Sequence, residues 1–148
     1  MAKVAVNELG SFTDVVRLDY NDLIAIGNGG TRVIAQIPAH GAVELVGVAN
    51  TVDIAGSSSL VIDVGTTIAD PDEFINALDV DAMTNPVFNT GDQYTAGTAT
   101  STSGLSQAVK QGASAADVYI KVTDAAIASL TAGEIVIGLR IIDLAKFS

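Results

Sequence analysis

The chain has 148 residues, of which 49% are hydrophobic and 16% charged, and its formal net charge is −10 at pH 7. This length and apolar content predict one domain with a sizeable core. The Lys and Arg residues are scattered singly, which argues against nucleic acid and anionic membrane surfaces as partners. Because Cys is absent, neither a disulfide framework nor a thiolate metal site is available.

The N-terminal residues show no steady hydrophobic period and no signal-peptide pattern, and no apolar run is long enough to span a bilayer. We therefore expect synthesis in a cytoplasm. Residues 1–12 are predicted to be an N-terminal arm that ends near Phe12. Residues 13–148 are predicted to be a single β-sandwich domain.

Alternating apolar and polar residues predict six strands along the chain, at residues 15–20, 31–37, 42–48, 60–65, 117–123 and 134–144. Residues 87–88 add a short extended piece. Asn21 and Asp22 predict a tight turn after the first strand. In the second strand, Val33, Ala35 and Ile37 are expected to face the core. The last strand is the longest and is expected to lie in the middle of a sheet.

One short helix is predicted at about residues 71–79. Asp70 stands where an N-cap carboxylate is favoured, Pro71 suits the first helical position, and Glu73 completes a capping-box pattern. An apolar face follows, formed by Phe74, Ile75 and Leu78. Such a short helix must lie on a sheet to be stable.

Residues 95–116 are mostly small and polar, which predicts a long loop or insertion. Seven to nine short strands separated by Gly, Asn, Pro and Asp, with one helix, indicate an all-β fold. We expect an antiparallel two-sheet sandwich of the jelly-roll type.

The sequence has few signatures of catalysis. His40 is the only histidine and follows a proline in a predicted turn, and no nucleophile elbow surrounds Ser57, Ser58 or Ser59. The glycine-rich stretch at residues 27–30 fits neither phosphate-loop pattern. We expect no enzymatic activity and no cofactor, with a small hydrolase as the third alternative.

An acidic cluster could in principle hold a hard cation such as Ca²⁺. Its candidate ligands are Asp70, Asp72 and Glu73, with Asp79 and Asp81 nearby in sequence. Helix capping and the helix dipole account for the first three, and the EF-hand spacing fails. The capping interpretation is preferred, and no metal is expected.

Several short motifs together resemble small β-rich capsid decoration proteins of tailed bacteriophages. The motifs are PAHGAV at residues 38–43, LVIDVG at 60–65, DPDEFI at 70–75, ALDV at 77–80 and LTAGE at 130–134, which leads into the last strand. The resemblance implies a jelly-roll-like cement protein, commonly trimeric, on the outer capsid surface of the virion. Its partners would be the major capsid protein and further copies of itself, and no catalytic residues carry over.

A second function class stays open, namely a phage tail or fibre accessory module that binds a host glycan. Glycan binding predicts an exposed aromatic platform, for which Tyr94 and Tyr119 are candidates, whereas decoration predicts broad apolar contacts between subunits. Phe12, Tyr94 and Tyr119 are the candidate interface residues.

Overall fold

The computed structural model describes residues 12–91, 109–110 and 113–147. Within them it has nine strands, one α-helix and two 3₁₀ turns. The strands are β1 (Asp14–Asp19), β2 (Gly30–Ile37), β3 (Gly41–Ala55), β4 (Val61–Gly65), β5 (Ile75–Asp79), β6 (Val87–Phe88), β7 (Val109–Lys110), β8 (Ala116–Thr123) and β9 (Ala132–Asp143). The helix α1 spans Tyr20–Ile26, and the 3₁₀ turns span Ile127–Ser129 and Leu144–Phe147.

The strands form two antiparallel sheets. Sheet A has the order β1-β9-β3-β6, with β7 also paired to β3, and sheet B has the order β2-β8-β4-β5. The pairs β1–β9, β2–β8, β3–β6 and β4–β5 are therefore nested inside one another along the chain, as in a jelly roll. The predicted all-β two-sheet sandwich is confirmed.

The core lies between the sheets and is built from alternate residues of the long strands. Ile135, Ile137 and Leu139 of β9 are fully buried, and β9 lies between β1 and β3 as expected. It is not the longest strand, however, since β9 has 12 residues and β3 has 15. Val118, Ile120 and Val122 of β8 are the counterparts of these β9 residues in sheet B. The period-two pattern of both strands is therefore a true signature of one buried face.

One predicted face is wrong in β2. Val33 is 49% exposed because the pairing of β2 with β8 shifts register between Val33 and Ala35. The extra residue at this bulge is Ile34, which packs against the core together with Ala35. A bulge reverses the direction of every side chain before it, and alternation alone does not reveal where it lies.

The helix predicted at about residues 71–79 is also wrong, since residues 75–79 form strand β5. Ile75 pairs with Val64 of β4, and the amide of Phe74 donates to the Val64 carbonyl. Phe74 and Ile75 are both fully buried. Pairing with an existing strand outweighs local capping signals that would support only two helical turns.

The helix lies instead at residues 20–26, where a turn was predicted. Its N-cap is Asp19, which forms a capping box with Asp22: each carboxylate accepts a hydrogen bond from the other residue's backbone N–H. Leu23 anchors the helix in the core and is fully buried. This helix has seven residues, and no helix in the described part of the chain is long and apolar enough to cross a membrane.

The predicted loop at residues 95–116 is partly corrected. Val109–Lys110 forms β7, which pairs with Ala42 and Val43 of β3, and β8 begins at Ala116. The rest of that prediction, except residues 113–115, and residues 1–11 of the predicted arm lie outside the described residues.

Candidate functional site

The outer face of sheet A carries a row of directly opposed residues, one from each of four strands. Val15 of β1 faces Gly138 of β9, Gly138 faces Gly47 of β3, and Gly47 faces Phe88 of β6. The neighbours of these residues along the strands, such as Val16, Ile137 and Val48, point into the core, so the row points outward. We call it the central row.

Two phenylalanines fill the space that the glycines leave open. A Cβ atom built on Gly47 would lie 2.5 Å from the Phe88 ring, and one built on Gly138 would lie 2.6 Å from the Phe12 ring. Both rings therefore lie against bare backbone. The predicted interface residue Phe12 is on this face, whereas neither glycine was singled out from the sequence.

The two rings and the central row border an apolar groove of about 180 Å³. We call this groove, together with the residues that line it, the apolar face. Its lining residues are Phe12, Val15, Gly47, Val48, Ala49, Pro86, Phe88, Val136 and Gly138. Val15 is 58% exposed and Phe88 49% exposed. A groove of this size is below the range typical of small-molecule sites.

Two ion pairs lie on the outer side of sheet A. Arg17 contacts Glu134 at 2.9 Å, and Arg140 contacts Glu44 at 3.6 Å. Both pairs are partly exposed, so each adds little stability. Although the chain has a net charge of −10, the apolar face is therefore bordered by two pairs of opposite charge.

The outer face of sheet B is more polar. Tyr119 lies there, opposite Val33 of β2 and Gly65 of β4, and Lys121 lies between Thr31 and Asp63 in the same way. Tyr119 is partly exposed, which agrees with its predicted outward direction. Tyr94, the other predicted aromatic, lies outside the described residues.

The acidic candidates for a metal site serve other contacts. Glu73 closes the loop after β4 by accepting hydrogen bonds from the Thr66 amide and hydroxyl and from the Thr67 hydroxyl. Asp70 is exposed and Asp72 partly buried. Among the residues that the structure describes, no group of three or more carboxylate or histidine side chains could hold a metal ion.

Asp124 is the one charged side chain in the described core, at 2% exposure. It accepts hydrogen bonds from the Ser58 hydroxyl at 2.6 Å and the Ala126 amide at 2.8 Å. Burial alone would raise the pKa of Asp124, but these bonds and those from the Ser58 and Ser59 amides outweigh it and hold the pKa below its ordinary value. Asp124 therefore ties together two loops as an ionised carboxylate.

The serines and histidine considered for catalysis also have separate contacts. The Ser57 hydroxyl donates to Asp81 and the Ser58 hydroxyl to Asp124, both at 2.6 Å. His40 is exposed in the turn before β3, with φ at 61°, and its backbone carbonyl accepts from the Leu144 amide. These contacts shape turns and loop ends.

A second depression, of about 310 Å³, lies beside the loop before β6 and has Asn50, Asp53 and Thr84 among its lining residues. The Asn50 amide nitrogen donates to the Val80 carbonyl. Its Oδ1 is buried and has no hydrogen-bond partner among the described residues. Asn50 itself is only partly buried, and we assign no ligand to this depression.

Compared with known proteins, the chain matches no family model, no curated protein and no solved structure. The apolar face of sheet A is thus the candidate site that the geometry itself offers. A sequence signal for it existed: glycine inside a strand often marks close approach of another group to the backbone, and Gly47 and Gly138 interrupt the two longest apolar strands.

Proposed function

We propose that this protein is a non-enzymatic virion structural protein that binds the outer surface of a phage capsid and stabilises the head by bridging capsomers. The observation that carries the proposal is the apolar face, where Val15, Phe88 and Phe12 surround a glycine-floored groove. The resemblance to decoration proteins supplies the partner, the major capsid protein. The homotrimer that it also implies stays a prediction.

The chemistry of the apolar face supports attachment to a protein surface. Exposed aromatic and aliphatic groups clustered on one face are typical of interaction sites, whereas isolated ones are ordinary. Phe88 and Val15 are directly in line across the sheet, so a partner covering one also covers the other. Burying them would remove apolar area from water, which is favourable by about 25 cal/mol per Å² before the costs of association.

Electrostatics determines how such attachment should respond to salt. An acidic chain that approaches another acidic surface is repelled, and added salt weakens that repulsion. The charged pairs that border the apolar face, Arg17–Glu134 and Arg140–Glu44, are already satisfied within the chain. We therefore expect binding to persist or strengthen as salt is raised moderately.

Many copies on a lattice would make weak contacts effective. If each copy bridges adjacent capsomers, the second contact forms at the high effective concentration that the first one creates. Head stabilisation then needs no tight single contact. It needs a repeated apolar one.

The test is co-sedimentation of the purified protein with undecorated heads assembled from the major capsid protein of the same phage, across a salt series. Phe88→Ser should lose most of the binding because it removes the ring from the groove. Val33→Ser is the matched control, since Val33 is also 49% exposed but lies on sheet B. Binding that disappears with moderate salt, or is unchanged in Phe88→Ser, would contradict the proposal.

The glycan-binding alternative has one observation in its favour. Tyr119 is a partly exposed aromatic residue on the outer face of sheet B, opposite Val33 and Gly65. Sugar rings stack on such surfaces. Retention of the protein on a glycan array, abolished by Tyr119→Ala and not by Phe88→Ser, would favour this second function.

A further inference from the structure

Strand β1 is the most regular edge of the sandwich within the described residues. It pairs with β9 without a register shift over its whole length and has no described strand on its other side. The edge strand β2 contains a bulge. The edge strand β5 contains Ala77 at φ 49°, with its amide bonded to Asp63. Bulges and distortions protect an edge from further pairing, and β1 lacks them.

The side to which the backbone N–H and C=O groups of each β1 residue point can be worked out from the hydrogen bonds of the neighbouring strands. The amide and carbonyl of Val46 bond to Asn89 on the β6 side, so the polar groups of Gly47 point to β9. The backbone N–H and C=O groups of successive residues in a strand point to opposite sides. Those of Gly138, the partner of Gly47, therefore point to β3, and those of Ile137 point to β1. The amides and carbonyls of Val15 and Arg17 therefore point to the open edge.

We propose that β1 pairs antiparallel with β1 of a second copy of this chain, with Val15 opposite Val15 across a two-fold axis perpendicular to sheet A. Each Val15 would exchange both backbone hydrogen bonds with its counterpart. The two copies of sheet A would form one continuous sheet. Their apolar faces would lie on the same side.

A second copy is the occupant that best fits this edge. Centring on Val15 joins the two central rows, so the row runs from Phe88 of one copy to Phe88 of the other through both glycine pairs. In this register Asp14 is opposite Val16, and Arg17 is opposite Thr13. The Thr13 amide already donates to the Leu139 carbonyl of β9, so the new backbone hydrogen bonds are centred on the two Val15 residues. No like charges are directly opposed, whereas centring on Arg17 would oppose two arginines, which is destabilising.

Pairing would also double the width of the apolar face. What the widened face would bind rests on the proposed function, but the pairing itself does not. The contact involves one short strand from each copy, well below the area of a stable interface. We therefore expect a weak, concentration-dependent dimer in free solution that a crowded lattice would favour.

The chain contains no Cys, so single cysteine variants report the contact cleanly. Opposed residues in a hydrogen-bonded antiparallel pair have Cα atoms about 5.5 Å apart, within the range that a disulfide spans. Val15→Cys should give a covalent dimer as the main product of mild oxidation of the full-length protein. Light scattering of the wild-type protein should show a mass that rises toward two chains with concentration.

Two variants act as controls. Arg17→Cys lies on the same strand and face but would be about four residues out of register with its counterpart, or roughly 13 Å away. Val33→Cys is an exposed position on another edge strand. Both should remain mainly uncrosslinked. Equal crosslinking of Val15→Cys and Val33→Cys, preferential crosslinking of Arg17→Cys, or a three-chain mass without crosslinking of Val15→Cys would overturn the inference. Because these tests need no heads, their failure is separate from failure of the capsid proposal.

Discussion

Phe88 lies directly against the backbone of Gly47 on the outer face of sheet A, so close that a Cβ atom at position 47 would be 2.5 Å from the ring. The two residues are opposed partners in β6 and β3. Strand β6 has only two residues, and this ring contact holds it to the sheet together with two hydrogen bonds between Asn89 and Val46. Position 47 therefore controls both the apolar face and its edge.

Gly47→Ala should displace the Phe88 ring and destabilise the protein by about 1–3 kcal/mol, as overpacking does elsewhere. Urea unfolding of the parent and variant gives the free energy difference. The matched test is the same substitution in a Phe88→Ala background, where the clash is absent and the cost should largely disappear. Equal costs in both backgrounds would mean that the ring is not the obstacle.

Glu73 should be more important to stability than Asp70. Glu73→Ala removes the acceptor for the Thr66 amide and for two hydroxyls, and we expect a loss of about 1–3 kcal/mol. Asp70→Ala changes an exposed side chain in a turn, and its effect should stay within about 0.5 kcal/mol. Thermal melting of the parent and both variants measures the two losses of stability. A larger loss from Asp70→Ala than from Glu73→Ala would contradict this ranking.

Acid should weaken the fold through Asp124. Its pKa in the folded protein is below the ordinary value of 3.8, so its ionised form contributes stability that is complete above that value. This contribution is lost as the pH falls through the lower folded pKa. Urea midpoints measured from neutral pH downward should therefore decline in the parent below about pH 4.

Asp124→Asn should be less stable than the parent at neutral pH and should show a smaller decline in acid. Ser58→Ala removes only the hydroxyl that donates to Asp124, so its acid dependence should lie between the two. An Asp124→Asn variant with the same decline as the parent would assign the acid sensitivity to other carboxylates.

The sequence predicts the strands well where a single periodic pattern covers many residues. The predicted strands at residues 15–20, 117–123 and 134–144 correspond to β1, β8 and β9 within one or two residues at each end. It fails where two local signals compete. At residues 71–79 the capping pattern favoured a helix, whereas the structure has a strand that pairs with β4 and begins at the fully buried Ile75.

The candidate site was less predictable than the fold. Phe12 could be selected because it is a large apolar residue at the end of an irregular segment. Gly47 and Gly138 each stand out as a glycine inside an apolar strand, but the sequence does not show that they are opposed across two strands about 90 residues apart. The strand register determines which residues lie beside a glycine on the same face of the sheet.

Local and periodic information in the sequence was thus sufficient to determine that this chain is an all-β sandwich with a core of alternating Val, Ile and Leu. Only the tertiary structure decided the bulge that turns Val33 outward, the strand at residues 75–79, and the central row of Val15, Gly138, Gly47 and Phe88. The physical reason is that side-chain alternation is a property of one strand. Register, bulges and the identity of the exposed face depend on pairing between strands that are distant in the sequence. The energy of that pairing is not determined by either segment alone.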